Sequence, residues 1–205
     1  MYFDIGANDG KWSLANINYC DKIIAVEASP ITFQKLCKSC KNNEKIIPVN
    51  YAACKNEGND ITFYECRAST LSTINKDWLE NPSSRFYNHQ FITSSAKTIT
   101  IDKLIEQYGI PDLIKIDVEC GEYECITSLT KKVDTLCFEW ASEFNNITFN
   151  CINYLITLGF TKFYLQFGDE YTFKPKEEDY IQVDDIIKQL NQTVLKIDWG
   201  IVWVK

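Results

Sequence analysis

Apolar residues fall into short unbroken runs, separated by segments in which they recur every three or four positions. The runs are Tyr2-Phe3-Asp4-Ile5, Ile23-Ile24-Ala25-Val26, residues 45–49, Leu113-Ile114-Lys115-Ile116-Asp117 and Thr135-Leu136-Cys137-Phe138-Glu139. Short apolar runs bounded by turn signals read as strands buried on both faces, and the periodic segments between them as helices. Helices are predicted over residues 11–19, after Ser29 as N-cap with Pro30 in first position, over 101–108 behind Thr100, over 122–130, and over 146–158 up to Gly159. Residues 51–99 break the rhythm and read as a substrate lid inserted in the domain: Ile61-Thr62-Phe63-Tyr64-Glu65 alternates like a strand, and 68–96 is rich in Ser, Thr and Asn. Residues 163–167 and 199–204 read as an antiparallel pair at one sheet edge, joined through a polar loop and a short helix near 181–190. The pattern predicts an α/β fold with a single domain over residues 1–205. Its sheet is seven-stranded, mostly parallel and doubly wound, with an antiparallel strand at one edge.

The first run ends in Asp4-Ile5-Gly6-Ala7-Asn8-Asp9-Gly10 and opens a helix. Open α/β sheets receive nucleotide-like cofactors at such glycine turns, because backbone without side chains approaches a ligand closely. A dinucleotide site needs Gly-x-Gly-x-x-Gly for pyrophosphate, whereas here Gly6 and Gly10 are separated by Ala7-Asn8-Asp9 and preceded by an acid. A carboxylate at Asp4 suits a cationic group such as the amino group of S-adenosylmethionine, and the amides beyond Gly10 suit that molecule's carboxylate. Glu27 ends the second strand at roughly the 20-residue offset where an acid grips ribose hydroxyls.

Composition narrows the partners. A chain of 205 residues with 45% hydrophobic and 14% aromatic content can bury one sizeable core. Its formal charge of −7 opposes a broad phosphate-binding face, so nucleic acid is not the expected partner. Of nine cysteines only Cys37-Lys38-Ser39-Cys40 forms a C-x-x-C, and the single histidine, His89, lies far from it. That spacing argues against zinc and for free thiols in a reducing, cytoplasmic compartment. No apolar run approaches the ~18 residues of a membrane span. The sequons at Asn146 and Asn191 carry no meaning in the cytosol. A first strand that begins at residue 2 suggests a domain of a longer polypeptide.

Ligands of open α/β sheets sit beyond the carboxyl ends of the strands, and five acids converge on that edge: Asp4, Glu27, Asp117, Glu119 and Glu139. The segments Phe3-Asp4-Ile5-Gly6-Ala7-Asn8-Asp9-Gly10, Val26-Glu27-Ala28-Ser29-Pro30 and Ile114-Lys115-Ile116-Asp117-Val118-Glu119 resemble the FkbM-type S-adenosylmethionine-dependent methyltransferases. Val49-Asn50-Tyr51-Ala52-Ala53, Ser69-Thr70-Leu71 and Glu139 support the resemblance, which spans most of the chain. One departure stands out. The family pattern Asp-Val-Glu-Gly becomes Asp117-Val118-Glu119-Cys120, with the glycine displaced to Gly121, so the local turn is expected to differ. Glu122 still matches the acid expected shortly afterwards.

The resemblance implies a class I, Rossmann-like methyltransferase fold and O-methylation of a hydroxyl, often on a sugar or polyketide. Cofactor contacts are expected at Asp4, Gly6, Ala7, Asn8, Gly10, Ser13, Glu27, Ala28, Ser29, Ala52, Ala53 and Asp117. Asp117 is the first choice for the base. A sugar hydroxyl is a weak acid, so Asp117, Glu119 and Glu139 are also candidate ligands of a divalent metal such as magnesium that would acidify it. His89 is the rival base. Arg67, Trp78, Arg85, Phe86, Tyr87 and His89 give residues 66–97 the aromatic and hydrogen-bonding character of a carbohydrate site. The expected acceptor is therefore a small molecule or glycan, with a glycosyltransferase domain in the same chain as a natural partner. The alternatives are a module that binds S-adenosylmethionine without turnover, and methylation of RNA ribose.

Overall fold

The computed structural model describes residues 1–193 and 198–205. From the N-terminus, β1 (Tyr2–Ile5) leads through the glycine turn to α1 (Lys11–Asn16), then β2 (Ile23–Val26), α2 (Pro30–Cys40), β3 (Ile46–Val49) and β4 (Ala52–Ala53). β5 (Asp60–Cys66), α3 (Asp77–Glu80) and β6 (Phe91–Ile99) follow. The chain continues with α4 (Ile101–Tyr108), β7 (Leu113–Ile116), α5 (Glu122–Ile126), β8 (Thr135–Ala141), α6 (Asn145–Thr157), β9 (Phe163–Phe167), α7 (Val183–Thr193) and β10 (Trp199–Val204). Among the described residues seven strands form one sheet in the order β3-β2-β1-β7-β8-β10-β9, with β10 antiparallel to both neighbours. Because β10 reverses, β9 again runs with the parallel strands and delivers its C-terminal end to their edge. Among the described residues no helix is long and apolar enough to cross a membrane.

Period-two alternation divides the central strands between two cores. Phe3, Ile5, Ile24, Ile114, Ile116 and Phe138 pack on one face of the sheet; Tyr2, Ile23, Ala25, Leu113, Cys137 and Trp203 pack on the other. Asp4 and Lys115 fall on the second face, and the β1–β7 register sets them directly opposite each other. Ser29 caps α2 by accepting from the Thr32 amide at 3.1 Å, and Thr100 caps α4 from Lys103 at 3.0 Å.

Several elements differ from the sequence pattern. α1 stops at Asn16 and passes into a 3-10 turn over Ile17–Tyr19. α5 stops at Ile126 because the Ser128 hydroxyl donates to the Cys125 carbonyl and accepts from the Ile101 amide, turning the chain toward α4. β8 runs on to Ala141, since β10 pairs along its whole length, so Glu139 lies inside the strand, opposite Ile201, and not at its end. The largest difference is residues 51–99. β5 and β6 pair antiparallel from Asp60–Lys97 to Cys66–Phe91 and β4 joins them, giving a three-stranded sheet. The end of the Ser- and Thr-rich stretch, from Phe91, is thus part of a half-exposed strand, for which such residues are competent. Only the segment between β5 and β6 remains a cover.

Two glycines mark close backbone approaches. A Cβ at Gly6 would stand 1.8 Å from the Asp117 carbonyl oxygen, and one at Gly200 2.0 Å from that of Gln166. Gly58, by contrast, has open space around it and only its φ of +78° to favour glycine. Gly200→Ala is expected to destabilise the fold by about 3 kcal/mol, as overpacking against backbone does. Gly58→Ala should cost about 1 kcal/mol, the left-handed penalty alone. Urea unfolding midpoints measure both, and equal losses would contradict the packing of β10 against β9.

Candidate active site

The carboxyl edge of the large sheet and the inner face of the small one enclose a cavity of about 560 Å³. Gly6, Ala7 and Asn8 form one wall, Ala52, Ala53 and Phe63 a second, and Asp117, Glu119 and Glu139 the far end. Gly6 adopts φ 78°, Asn8 φ 48° and Gly10 φ 88°, so the turn is left-handed three times before α1 begins. Asparagine tolerates that region better than most residues.

Lys115 dominates the electrostatics. Its Nζ lies 3.2 Å from Asp4 Oδ1 and 3.3 Å from Asp117 Oδ2, and 3.4 Å from the Gly6 carbonyl. Burial works to release its proton, but the two carboxylates outweigh that and hold its pKa above the ordinary lysine value. Asp4, fully buried, also accepts from the Ser13 hydroxyl at 2.6 Å.

Beyond Lys115, single carboxylate oxygens of Asp117, Glu119 and Glu139 all lie within 4.8 Å of one another. Burial first, and mutual repulsion second, push Glu119 and Glu139 well above the usual carboxylate range. Glu122, behind them, is pushed to about 7 by burial, although its Oε1 accepts from the Val118 amide at 3.0 Å. Trp78 is buried between Phe86 and Phe144 and lines the cavity beside Glu119. The turn that carries Glu119 is left-handed at Glu119 (φ 55°) and at Cys120 (φ 71°). The family's glycine position therefore keeps glycine-like backbone although it carries a thiol. Thr73 donates to the Glu119 carbonyl and Asn75 to that of Cys120 at 3.1 Å, so the segment after β5 clamps the strained turn.

At the opposite end, Glu27 presents a carboxylate whose Oε2 accepts from the Asn8 amide and Oε1 from the Ser29 amide, both at 2.9 Å. Burial raises its pKa to about 7 against those two donors.

The cavity brings together Gly6, Ala7, Asn8, Glu27, Ala28, Ala52, Ala53, Asp117, Glu119 and Glu139. Four expected cofactor contacts lie behind its wall instead. Asp4 accepts from the Ser13 hydroxyl and pairs with Lys115. Gly10 is required by packing, because a Cβ there would meet Leu36 at 2.9 Å and Cys40 at 3.0 Å. Ser29 caps α2 and donates to Glu65 at 3.1 Å. His89 does not reach the acids: its ring is exposed, Nδ1 faces the Phe86 carbonyl at 3.0 Å, and it lines a different groove together with Arg67. Arg85 lines the cavity, but its fork is committed to Glu143, with both contacts at 2.5 Å, and to the Asp198 carbonyl at 2.9 Å.

Lys115, Asp169, Tyr171 and Trp199 also face the cavity and were not anticipated. A lysine centred in a run buried on both faces is itself the signal for the first, since an unpaired charge is not tolerated there. Asp169 was legible from topology, because β9 runs parallel to β8 and its following loop reaches the same edge as Asp117. Tyr171 and Trp199 carried no comparable signal.

The pattern of the methyltransferase FkbM domain family matches residues 4–193. No curated relative matches the chain in sequence. Among solved structures, the chain is similar to a precorrin-6y C5,15-methyltransferase from Geobacter metallireducens, with 10% identity, TM-score 0.48, and coverage of 100% of this chain and 78% of the other. Fibrillarin from Methanococcus jannaschii aligns with 15% identity and TM-score 0.46 over 87% of this chain and 62% of its own. An S-adenosylmethionine-dependent methyltransferase from Archaeoglobus fulgidus gives 12% identity, TM-score 0.41, and coverage of 100% and 85%. With the family match running from the first acidic strand end through the glycine turn, Glu27 and the Asp117–Glu139 cluster, the chain belongs to the FkbM methyltransferase domain family and is a methyltransferase dependent on S-adenosylmethionine.

Proposed function

We propose that the protein methylates a hydroxyl of a sugar in a glycan or glycoconjugate. The observation that carries this reading is one cavity with a carboxylate suited to a ribose diol at one end and three convergent carboxylates at the other. When bound, S-adenosylmethionine supplies a methyl group on a positively charged sulfur. The residues present fit it. Glu27 keeps a lone pair free on each oxygen for a vicinal diol, Ala28, Ala52 and Ala53 leave room for a flat base, and the Gly6 turn lets backbone approach. Trp199, 38% exposed at the rim, offers a sugar the aromatic face that the buried Trp78 does not.

Holding the acceptor hydroxyl against the acidic end supplies orientation, a large part of such an acceleration. Its proton needs a base, and burial makes the carboxylates of Glu119 and Glu139 more basic than an ordinary one. Lys115 keeps Asp117 in place and balances part of the charge. Asp117, Glu119 and Glu139 would hold a divalent ion such as magnesium, which favours oxygen ligands and would acidify a hydroxyl. The same cluster speaks against a module without turnover, and the charge of −7 against RNA ribose.

Ribose hydroxyls donate to Glu27 and favour its ionised form, so binding expels a proton wherever the free protein holds one. Affinity for S-adenosylhomocysteine, measured by calorimetry, is expected to fall about tenfold per pH unit below pH 7, and Glu27→Gln to weaken binding and flatten that slope. The unliganded fold should show the matching linkage. With a folded pKa of about 7 against an ordinary 4.5, Glu27 keeps a proton that the unfolded chain has released, so its contribution to stability is lost as pH rises between those values. A Glu27→Gln variant with the parent's pH profile would remove Glu27 from the cofactor site.

Asp117→Asn and Glu139→Gln should each lower methyl transfer from labelled S-adenosylmethionine to sugar acceptors by at least about 100-fold. Affinity for S-adenosylhomocysteine should stay within a few-fold of the parent. EDTA should abolish transfer and magnesium restore it; transfer untouched by EDTA would eliminate the metal and leave a carboxylate as the base. Methylation of an RNA oligonucleotide, with none on any sugar tried, would overturn the acceptor class.

A further inference from the structure

A second groove of about 680 Å³ lies between the first turns of α2 and the β5–β6 edge of the small sheet. Ser69 and Ser72 line both this groove and the cavity described above, so the two hollows share one wall. That wall is the 3-10 turn Ser69–Leu71 with Ser72, anchored at one end by the Ser69 hydroxyl donating to Asn8 Oδ1 at 3.0 Å. A ligand long enough to cross the turn would occupy both.

The charge of the groove is opposite to that of the chain. Lys35 on α2 and Arg67 after β5 line it, and neither makes an ion pair or side-chain hydrogen bond among the described residues. The single carboxylate in the lining, Glu65, is 8% exposed, and its Oε1 accepts from the Ser29 and Ser94 hydroxyls at 3.1 Å each. Glu65 is therefore held in the floor, while two uncommitted cations stand above it on a chain of net charge −7. Such a local inversion favours an anion. Phe91, half-buried, and the exposed Ile92 add an apolar face beside the cations, which suits the body of a sugar and not a bare ion.

We propose that this groove is an acceptor subsite for an anionic sugar, holding the carboxylate or phosphate of a unit that neighbours the one methylated. The proposal rests on the glycan reading given above and narrows it to acidic glycans. Arg67 offers a planar fork to either oxyanion, and Lys35 a point charge. Arg67 thus serves the carbohydrate-binding role expected of the cover, but outside the reaction cavity.

Three tetrasaccharides that differ in one unit, carrying glucuronate, glucose phosphate or glucose, test it by calorimetry with S-adenosylhomocysteine present. At least one acidic form should bind about tenfold more tightly than the neutral form, the scale of a charge-assisted pair. The double variant Lys35→Gln/Arg67→Gln should erase that preference while leaving S-adenosylhomocysteine affinity unchanged. A gain confined to one acidic form identifies the anion. Equal binding of all three, or a preference that survives in the double variant, overturns the subsite and leaves the glycan reading intact. No saccharide binding while S-adenosylhomocysteine still binds removes both, and an RNA oligonucleotide that outcompetes every saccharide assigns the groove to nucleic acid and overturns the proposal.

Discussion

Lys115 places an ammonium in the middle of a central strand, where solvent cannot stabilise it, and the carboxyl edge of the sheet is arranged around its neutralisation. Register sets Asp4 opposite it on β1, and the alternation of β7 brings Asp117 to the same face two residues later. Taking away one partner of such a buried pair generally costs about 3–5 kcal/mol, far more than a surface ion pair is worth. The interaction therefore joins β1 to β7 and fixes Asp117 at the start of the acid cluster. It also accounts for Asp4, which faces Lys115 through Oδ1 and accepts from Ser13 through Oδ2.

The rest of the acid cluster depends on the small sheet. Glu119 stands on two consecutive left-handed residues that glycine would accept more readily, and Thr73 and Asn75 hold their carbonyls. These two residues belong to the segment that also carries Arg85, locked to Glu143 in the turn before α6 and to the Asp198 carbonyl before β10. The insertion is thus bonded to both ends of the acidic edge. A cover attached in this way shapes the carboxylates as well as sheltering them.

The sheet was legible because strands buried on both faces leave an unbroken apolar signature, and because Ser29-Pro30 and Thr100 announce their helices. Gly6, Glu27 and Asp117 were legible as lining of the cavity because ligands of such sheets sit beyond the carboxyl ends of parallel strands. What could not be read was side-chain commitment. Arg85 and Asp4 look free in the sequence, and only the packing shows them already paired. The β5–β6 pair was obscured for another reason: a strand with one wet face and many hydroxyls has the composition of a loop, and its partner stands some thirty positions away.

The nine cysteines gain a meaning from the cofactor. A sulfonium methyl donor alkylates soft nucleophiles, and among protein side chains the thiolate is the softest. All nine thiols here are free, and burial pushes Cys40, Cys66, Cys120, Cys125, Cys137 and Cys151 above the ordinary cysteine value. Cys120, on the turn beside Glu119, is hemmed in by Trp78 and Phe144 and by neighbouring carboxylates that further disfavour a negative sulfur. The thiolate is the reactive form, so the packing that buries Cys120 beside the acid cluster disfavours the form that a methyl donor would alkylate.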